Sequence, residues 1–230
     1  MKNSIDHVHF IHVPKTGGTA IKWAVNQYTN LLLTTGEKCK ITCHRHNVSF
    51  ADISVGEKIF FIVRDPIDRF VSAFFYCKRK TVERRIWFAS MARYLSSFDT
   101  PCELAACLED NNQKFYLAKR ALEEIPHMRT LSRWYVSKDY FNSRLNDVFF
   151  IGFTETLNVD FNNLKNMLNI PSKINLPQKQ KQANRMQREV SETHKIIREP
   201  GLTLLKEWYK QDIEFVAICK EIMASRTSNR

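Results

Sequence analysis

Lys15, Thr16, Gly17, Gly18 and Thr19 stand together in the run FIHVPKTGGTAIKWAV (residues 10–25), where an apolar stretch stops at two glycines and resumes with helical spacing. The pattern places a turn between a strand and the start of a helix. Backbone N–H groups at a helix start have no partner inside the helix, the helix dipole adds partial positive charge, and glycine lets an anion approach closely. The chemistry on offer is the binding of a phosphate-like group. In FFIVRDPIDRFVSAFFY (residues 60–76), Arg64 ends a second apolar run and Ser72 follows about two turns into the next helical segment. An arginine at a strand mouth binds phosphate through its planar fork, and a serine hydroxyl adds a contact. The alternative for the same residues is an ion pair between Arg64 and Asp68 with Ser72 merely packed.

Cys39, Cys43, His44 and His46 are of metal-binding type, but their spacing matches no common finger pattern and a second ligand pair is missing, so no metal site is expected from them. The glycine turn also differs from a nucleoside-triphosphate loop of the form GxxxxGK[ST]. Lys15 precedes Gly17 and Gly18, and no clear magnesium-holding partner is visible.

These residues need elements to hold them. Besides the run ending at Val13, KIFFIVR (58–64) and DVFFIGFT (147–154) are near-continuous apolar runs, as expected of strands covered on both faces. Each is followed by a helical signal: Thr19 onward, Pro66 after Asp65, and TLNVDFNNLKNML from residue 156. Strands alternating with helices give an α/β fold with a parallel sheet of P-loop-like type. Between about residues 80 and 140 the pattern is wholly helical, with RRIWFASMARYLSSF and KFYLAKRALEEI, and the chain closes in the helical run LTLLKEWYKQDIEFVAICKEIM. The expectation is a sheet flanked by helices, with a largely helical insertion and a C-terminal helix. The anion site would lie at the C-terminal end of the first strand, where ligands of open α/β sheets bind.

Across 230 residues, 43% hydrophobic and 12% aromatic, one core and a single domain over residues 1–230 are expected. Lys and Arg exceed Asp and Glu by 35 to 24, a formal charge of +11 that favours polyanions: nucleotides, nucleic acid, anionic glycans or lipid surfaces. No apolar core of signal-peptide length precedes the first strand and no run reaches the length of a membrane span, which leads to the expectation of a cytoplasmic protein. The six cysteines read as mostly buried thiols. The Gln/Lys-rich segment 177–188 reads as a mobile basic loop, and the basic run CKRKTVERR (77–85) with Trp87 as a solvated face or a grip on an anionic glycan.

Taken together, PKTGGT (14–19) and RDPIDRFVSAF (64–74) resemble the two cofactor loops of the sulfotransferase superfamily, which uses 3′-phosphoadenosine 5′-phosphosulfate (PAPS) as donor and releases PAP. The resemblance implies that Lys15 to Thr19 hold the 5′-phosphosulfate and that Arg64 and Ser72 hold the 3′-phosphate. CHRHNVSF (43–50) is similar to the HxH segment and aromatic that lie between those loops in the carbohydrate branch, which includes heparan sulfate 2-O-sulfotransferase. FFIGFTETLNVDF (149–161) is similar to the family's strand ending in Gly-x-Thr-Glu, and Arg185 stands where a cofactor-covering segment is expected.

Sulfuryl transfer is an in-line displacement dominated by positioning and electrostatics. The resemblance implies that Lys15 stabilises charge on the departing phosphate oxygen and that residues 16–19 bind the 5′-phosphate through backbone and hydroxyl donors. It also implies that no metal is required. An imidazole is suited to take the acceptor's proton at neutral pH, with His46 as the base and His44 the runner-up, since residues two apart in an extended segment share a face. Glu155 is the next candidate. A hydroxylated acceptor follows, expected to be a glycan or glycolipid and not nucleic acid. The rival readings are a P-loop small-molecule kinase and a nucleic-acid-binding module working through its basic face.

Overall fold

A computed structural model describes residues 6–35, 39–82, 89–177 and 196–228. Four strands, β1 (His7–Ile11), β2 (Lys40–Cys43), β3 (Ile59–Val63) and β4 (Val148–Phe153), form one parallel sheet in the order β2-β1-β3-β4. The helices are α1 (Gly18–Thr35), α2 (Pro66–Val82), α3 (Ala89–Leu95), α4 (Pro101–Ala106), α5 (Phe115–Glu124), α6 (Ser132–Tyr135), α7 (Lys138–Ser143), α8 (Leu157–Leu168), α9 (Gly201–Trp208) and α10 (Lys210–Ser228). The fold is α/β, as the alternation of apolar and amphipathic runs implies.

The described residues gather into two compact units. One takes those of Met1–Arg64, Leu131–Gln178 and Phe215–Arg230, and the other those of Asp65–Thr130 and Lys179–Glu214. In the first unit β3 is buried at all five positions, which only a strand covered on both faces can be. Phe60 and Ile62 join Val8, Phe10 and Phe150 beneath Ile21 and Ala24 of α1 and Phe161 and Leu164 of α8. Ile59, Phe61 and Val63 join Ile11 and Ile151 against Trp134 and Tyr135 of α6, Phe141 of α7, and Phe215 and Cys219 of α10. Each fully buried aromatic or branched side chain is worth about 1.5–3 kcal/mol, so the central strand alone anchors the sheet.

The sheet differs from the sequence expectation in two places. β1 runs from His7 to Ile11, beginning three residues before the apolar run 10–13, because pairing with β2 and β3 on both sides draws the polar residues His7 and His9 into the ladder. β2 was not expected at all. Its four residues KITC form an edge strand that bonds to β1 alone, too short to show a period.

The second unit is helical, with a core of Phe70 and Phe74 from α2, Leu104 from α4, Leu122 from α5, and Leu205 and Tyr209 at α9 and its end. Arg69 is fully buried there, donating to the carbonyls of His127 and Arg129 beside the Asp212 carboxylate at 3.6 Å. The expected continuous C-terminal helix is broken at Tyr209, where ψ is 19° and the buried hydroxyl donates to the Met128 carbonyl. All six cysteines are thiols and four of them are buried. The 178–188 part of the basic loop, Arg185, Trp87 and the end of the basic run lie outside the described residues. No described helix is long and apolar enough to cross a membrane.

Candidate active site

β1 delivers the chain into a turn over residues 14–17 and straight into α1 at Gly18. The turn reverses direction through two left-handed residues, Lys15 at φ 68° and Gly17 at φ 86°. Such alternation points successive N–H groups into one concavity, the geometry of an anion nest. Left-handed φ costs a lysine stability that glycine does not lose, and strain of this kind collects at ligand-holding loops.

The turn is braced from within. Thr16 is fully buried and its hydroxyl donates to the Val13 carbonyl at 2.9 Å. That corrects one detail of the sequence reading: the single hydroxyl proton of Thr16 is spent on the loop itself, leaving its N–H, while Thr19 is the exposed hydroxyl of the group. Gly18 has a different purpose from the one read in sequence. A Cβ there would stand 2.0 Å from Cδ2 and 2.2 Å from Nε2 of His12, so the residue is glycine because the His12 ring occupies the space.

Arg64 follows β3, half-buried, and its Nη1 donates to the Lys15 carbonyl at 3.4 Å. The sheet thus brings together a loop and an arginine forty-nine residues apart. Ser72 lies seven residues into α2, half-buried, within the second unit. Asp65 caps that helix, its Oδ1 accepting from the N–H groups of Ile67 and Asp68.

The HxH segment begins where β2 ends, with the His44 N–H donating to the Phe10 carbonyl at 3.0 Å. The two rings meet different histidines of the first strand and its end. His44 Nε2 meets His9 Nδ1 at 2.8 Å, with the rings stacked at 5.1 Å. His46 turns to His12 instead, its ring centroid 4.0 Å away and its Nδ1 2.8 Å from the His12 carbonyl oxygen. A carbonyl only accepts, so Nδ1 carries the proton and the lone pair of neutral His46 sits on Nε2. The extended segment on which His44 and His46 would share a face ends at Cys43, and a turn covers His46 and Asn47.

His46 is exposed as a residue, yet its ring has lost part of its water against His12, and that loss lowers its pKa from the ordinary imidazole value. The His12 carbonyl opposes the shift, while the charges of Lys22 and Lys15 add to it. Burial lowers the pKa of Lys22 too. His44 is likewise lowered, by burial first and then by His9. Burial pushes the Cys39 and Cys43 thiols up to about 11. No three of Cys39, Cys43, His44 and His46 bring ligand atoms together among the described residues, where the one such group is His7, His9 and Glu57.

The segment is pinned from below. Trp134 Nε1 donates to the His46 carbonyl at 2.8 Å and Arg133 reaches the Asn47 carbonyl. Ser49 and Asp52 then close a capping box. Beyond it, Arg144 donates to the carbonyls of Phe50, Ile53 and Ser54 while paired with Asp147. The sequence reading gave His12, Lys22 and Trp134 no place at the site. The only local sign of Lys22 was its place one turn past Gly18 on a helix facing the loop.

A model of the sulfotransferase family matches residues 3–215. The chain belongs to the sulfotransferase family. No curated protein and no solved structure matches it. The match runs through residues of both units, and it covers the glycine turn, the HxH segment and the stretch from Arg64 to Ser72. Membership in a sulfotransferase family makes the chain an enzyme of sulfate transfer.

Proposed function

We propose that this sulfotransferase takes its sulfuryl group from PAPS and delivers it to a hydroxyl of a carbohydrate or other hydroxylated acceptor, with His46 as the base. The observation that carries the reading is the bond from His46 Nδ1 to the His12 carbonyl, which leaves a neutral imidazole with its basic nitrogen on the other side of the ring. Family membership supports the donor.

The donor set suits a doubly anionic nucleotide. The left-handed turn at Lys15 and Gly17 offers N–H groups at a helix start, a place where phosphate is readily held. PAPS, when bound, supplies an activated sulfuryl group on a phosphate leaving group. Lys15 neutralises charge growing on the leaving oxygen, and the amides of residues 16–19 with the Thr19 hydroxyl hold the 5′-phosphate. Arg64, already at the loop through the Lys15 carbonyl, holds the 3′-phosphate, a role that the family resemblance gives to Ser72 as well. His46 takes the acceptor proton on Nε2. The His12 carbonyl orients the ring, and Trp134 holds the His46 main chain beneath it.

The family match across both units supports a single sulfotransferase domain over residues 1–230. Transfer of radiolabelled sulfate from PAPS to a panel of oligosaccharides, glycolipids and small alcohols is the test. Labelled glycan or glycolipid is the expected product. Label only on small alcohols would overturn the carbohydrate acceptor, and no transfer to any member, with PAP bound no better than ATP, would overturn the donor.

A further inference from the structure

At the N-terminal half of β1, on the far side of the strand from the glycine turn in sequence, His7, His9 and Glu57 bring three ligand atoms within 4.8 Å of one another. We propose that this trio is a binding site for a divalent transition-metal ion, zinc foremost, held by His7 Nδ1, His9 Nε2 and the Glu57 carboxylate. The Glu57 oxygen lies 3.4 Å from His9 Nε2 and 3.8 Å from His7 Nδ1. Ligands around a tetrahedral zinc stand about 3.3 Å apart, so rotations of well under a rotamer step close the site.

Each imidazole is already oriented by its other nitrogen. His7 Nε2 is 2.8 Å from the Thr42 hydroxyl, and His9 Nδ1 is 2.8 Å from His44 Nε2. Metal-ligating histidines are held in this way, with the second nitrogen engaged and the first aimed at the ion. His9 Nε2 is buried and makes no hydrogen bond among the described residues, although it faces the carboxylate. With the His7 Nε2 proton donated to Thr42 and the His9 Nδ1 proton donated to His44, the lone pairs of His7 Nδ1 and His9 Nε2 face the carboxylate, an arrangement that a cation between them relieves. Neutral imidazole and carboxylate are the ligand types of borderline divalent metals, and two histidines with one glutamate make a recurrent zinc set.

The third ligand is as well placed as the other two. Glu57 is in the turn before β3, whose neighbours on either side are tied down. The Gly56 N–H donates to Asp147, and the Lys58 ammonium donates to the Asn146 carbonyl. Glu57 is exposed while His9 is nearly buried, so the site opens to solvent on the carboxylate side and leaves a path for the ion. The bound ion would also hold His9 against His44, and through it the start of the HxH segment.

The test uses the whole chain, free of any affinity-tag histidines and stripped with chelator. Zinc chloride is titrated by calorimetry, and cobalt chloride is followed by its visible absorption. The expected result is one ion per chain, with cobalt spectra of nitrogen and oxygen ligation. Glu57→Gln and His7→Ala should each weaken binding by well over tenfold, and Thr42→Val by about ten- to a hundredfold through loss of the orienting bond. Glu57 is exposed, so its variant keeps the fold, which circular dichroism checks. Wild-type affinity no better than that of the Glu57→Gln, His7→Ala double variant would overturn the site. A thiolate-to-cobalt charge-transfer band would also overturn it, by assigning the metal to Cys39 or Cys43.

Discussion

His46 Nδ1 and the carbonyl oxygen of His12 are 2.8 Å apart across a gap of thirty-four residues, and that bond decides which nitrogen of His46 is basic. Partial burial of the His46 ring, and after it the charges of Lys22 and Lys15, lower its pKa. The neutral form is the base, so the transfer rate should rise with pH through a midpoint below the ordinary imidazole value of about 6.5 and be flat across neutrality. His46→Ala should abolish that limb and the activity while keeping PAP affinity. Activity with an unchanged limb would pass the role to His44 or Glu155.

Lys15→Ala removes a charge needed more as the leaving oxygen becomes negative than in the bound donor. kcat should fall by about a hundredfold or more, and PAP affinity by less. Steady-state kinetics beside calorimetry separate the two. Near-normal turnover would remove Lys15 from the mechanism.

Arg64 reaches the loop through the Lys15 carbonyl and is the residue assigned to the 3′-phosphate. Arg64→Ala should bring the affinity for PAP down toward that for AMP, which lacks that phosphate. Equal losses for both nucleotides would make Arg64 a brace of the loop instead of a reader of the ligand.

Gly18→Ala drives a Cβ into the His12 ring, where 2.0 Å leaves no room, and should cost about 1–3 kcal/mol in urea unfolding. His12→Ala clears the space. The double variant should be more stable than the sum of the two losses allows, since the residues are in contact. Simple additivity would show that the ring is not what makes residue 18 a glycine.

Arg144 holds the carbonyls of Phe50, Ile53 and Ser54 and pairs with Asp147, both side chains being buried. Arg144→Met leaves the buried Asp147 carboxylate without its ion-pair partner and should cost about 3–5 kcal/mol. Arg144→Met with Asp147→Asn should recover part of that. Chemical denaturation of the three variants measures it.

The local parts of this protein were readable from its sequence. The glycine turn, Arg64 after an apolar run and the helix signals at Thr19, Pro66 and residue 156 are properties of adjacent residues. β3 and β4 were equally plain, because a strand buried on both faces must be apolar throughout. β2 was not, since four residues bonded along one edge carry no pattern of their own. Only the tertiary structure could decide that His46 answers to His12 and Trp134 while His44 answers to His9, for those partners stand thirty-four to eighty-eight residues away. The same holds for the meeting of His7, His9 and Glu57, while the reason residue 18 is a glycine lies in where the fold puts the ring of nearby His12. Strand register sets the pairings that carry His7, His9 and the start of the HxH segment. Register follows from burying both faces of the sheet at once, a sum over the whole chain that leaves no mark on any single stretch of it.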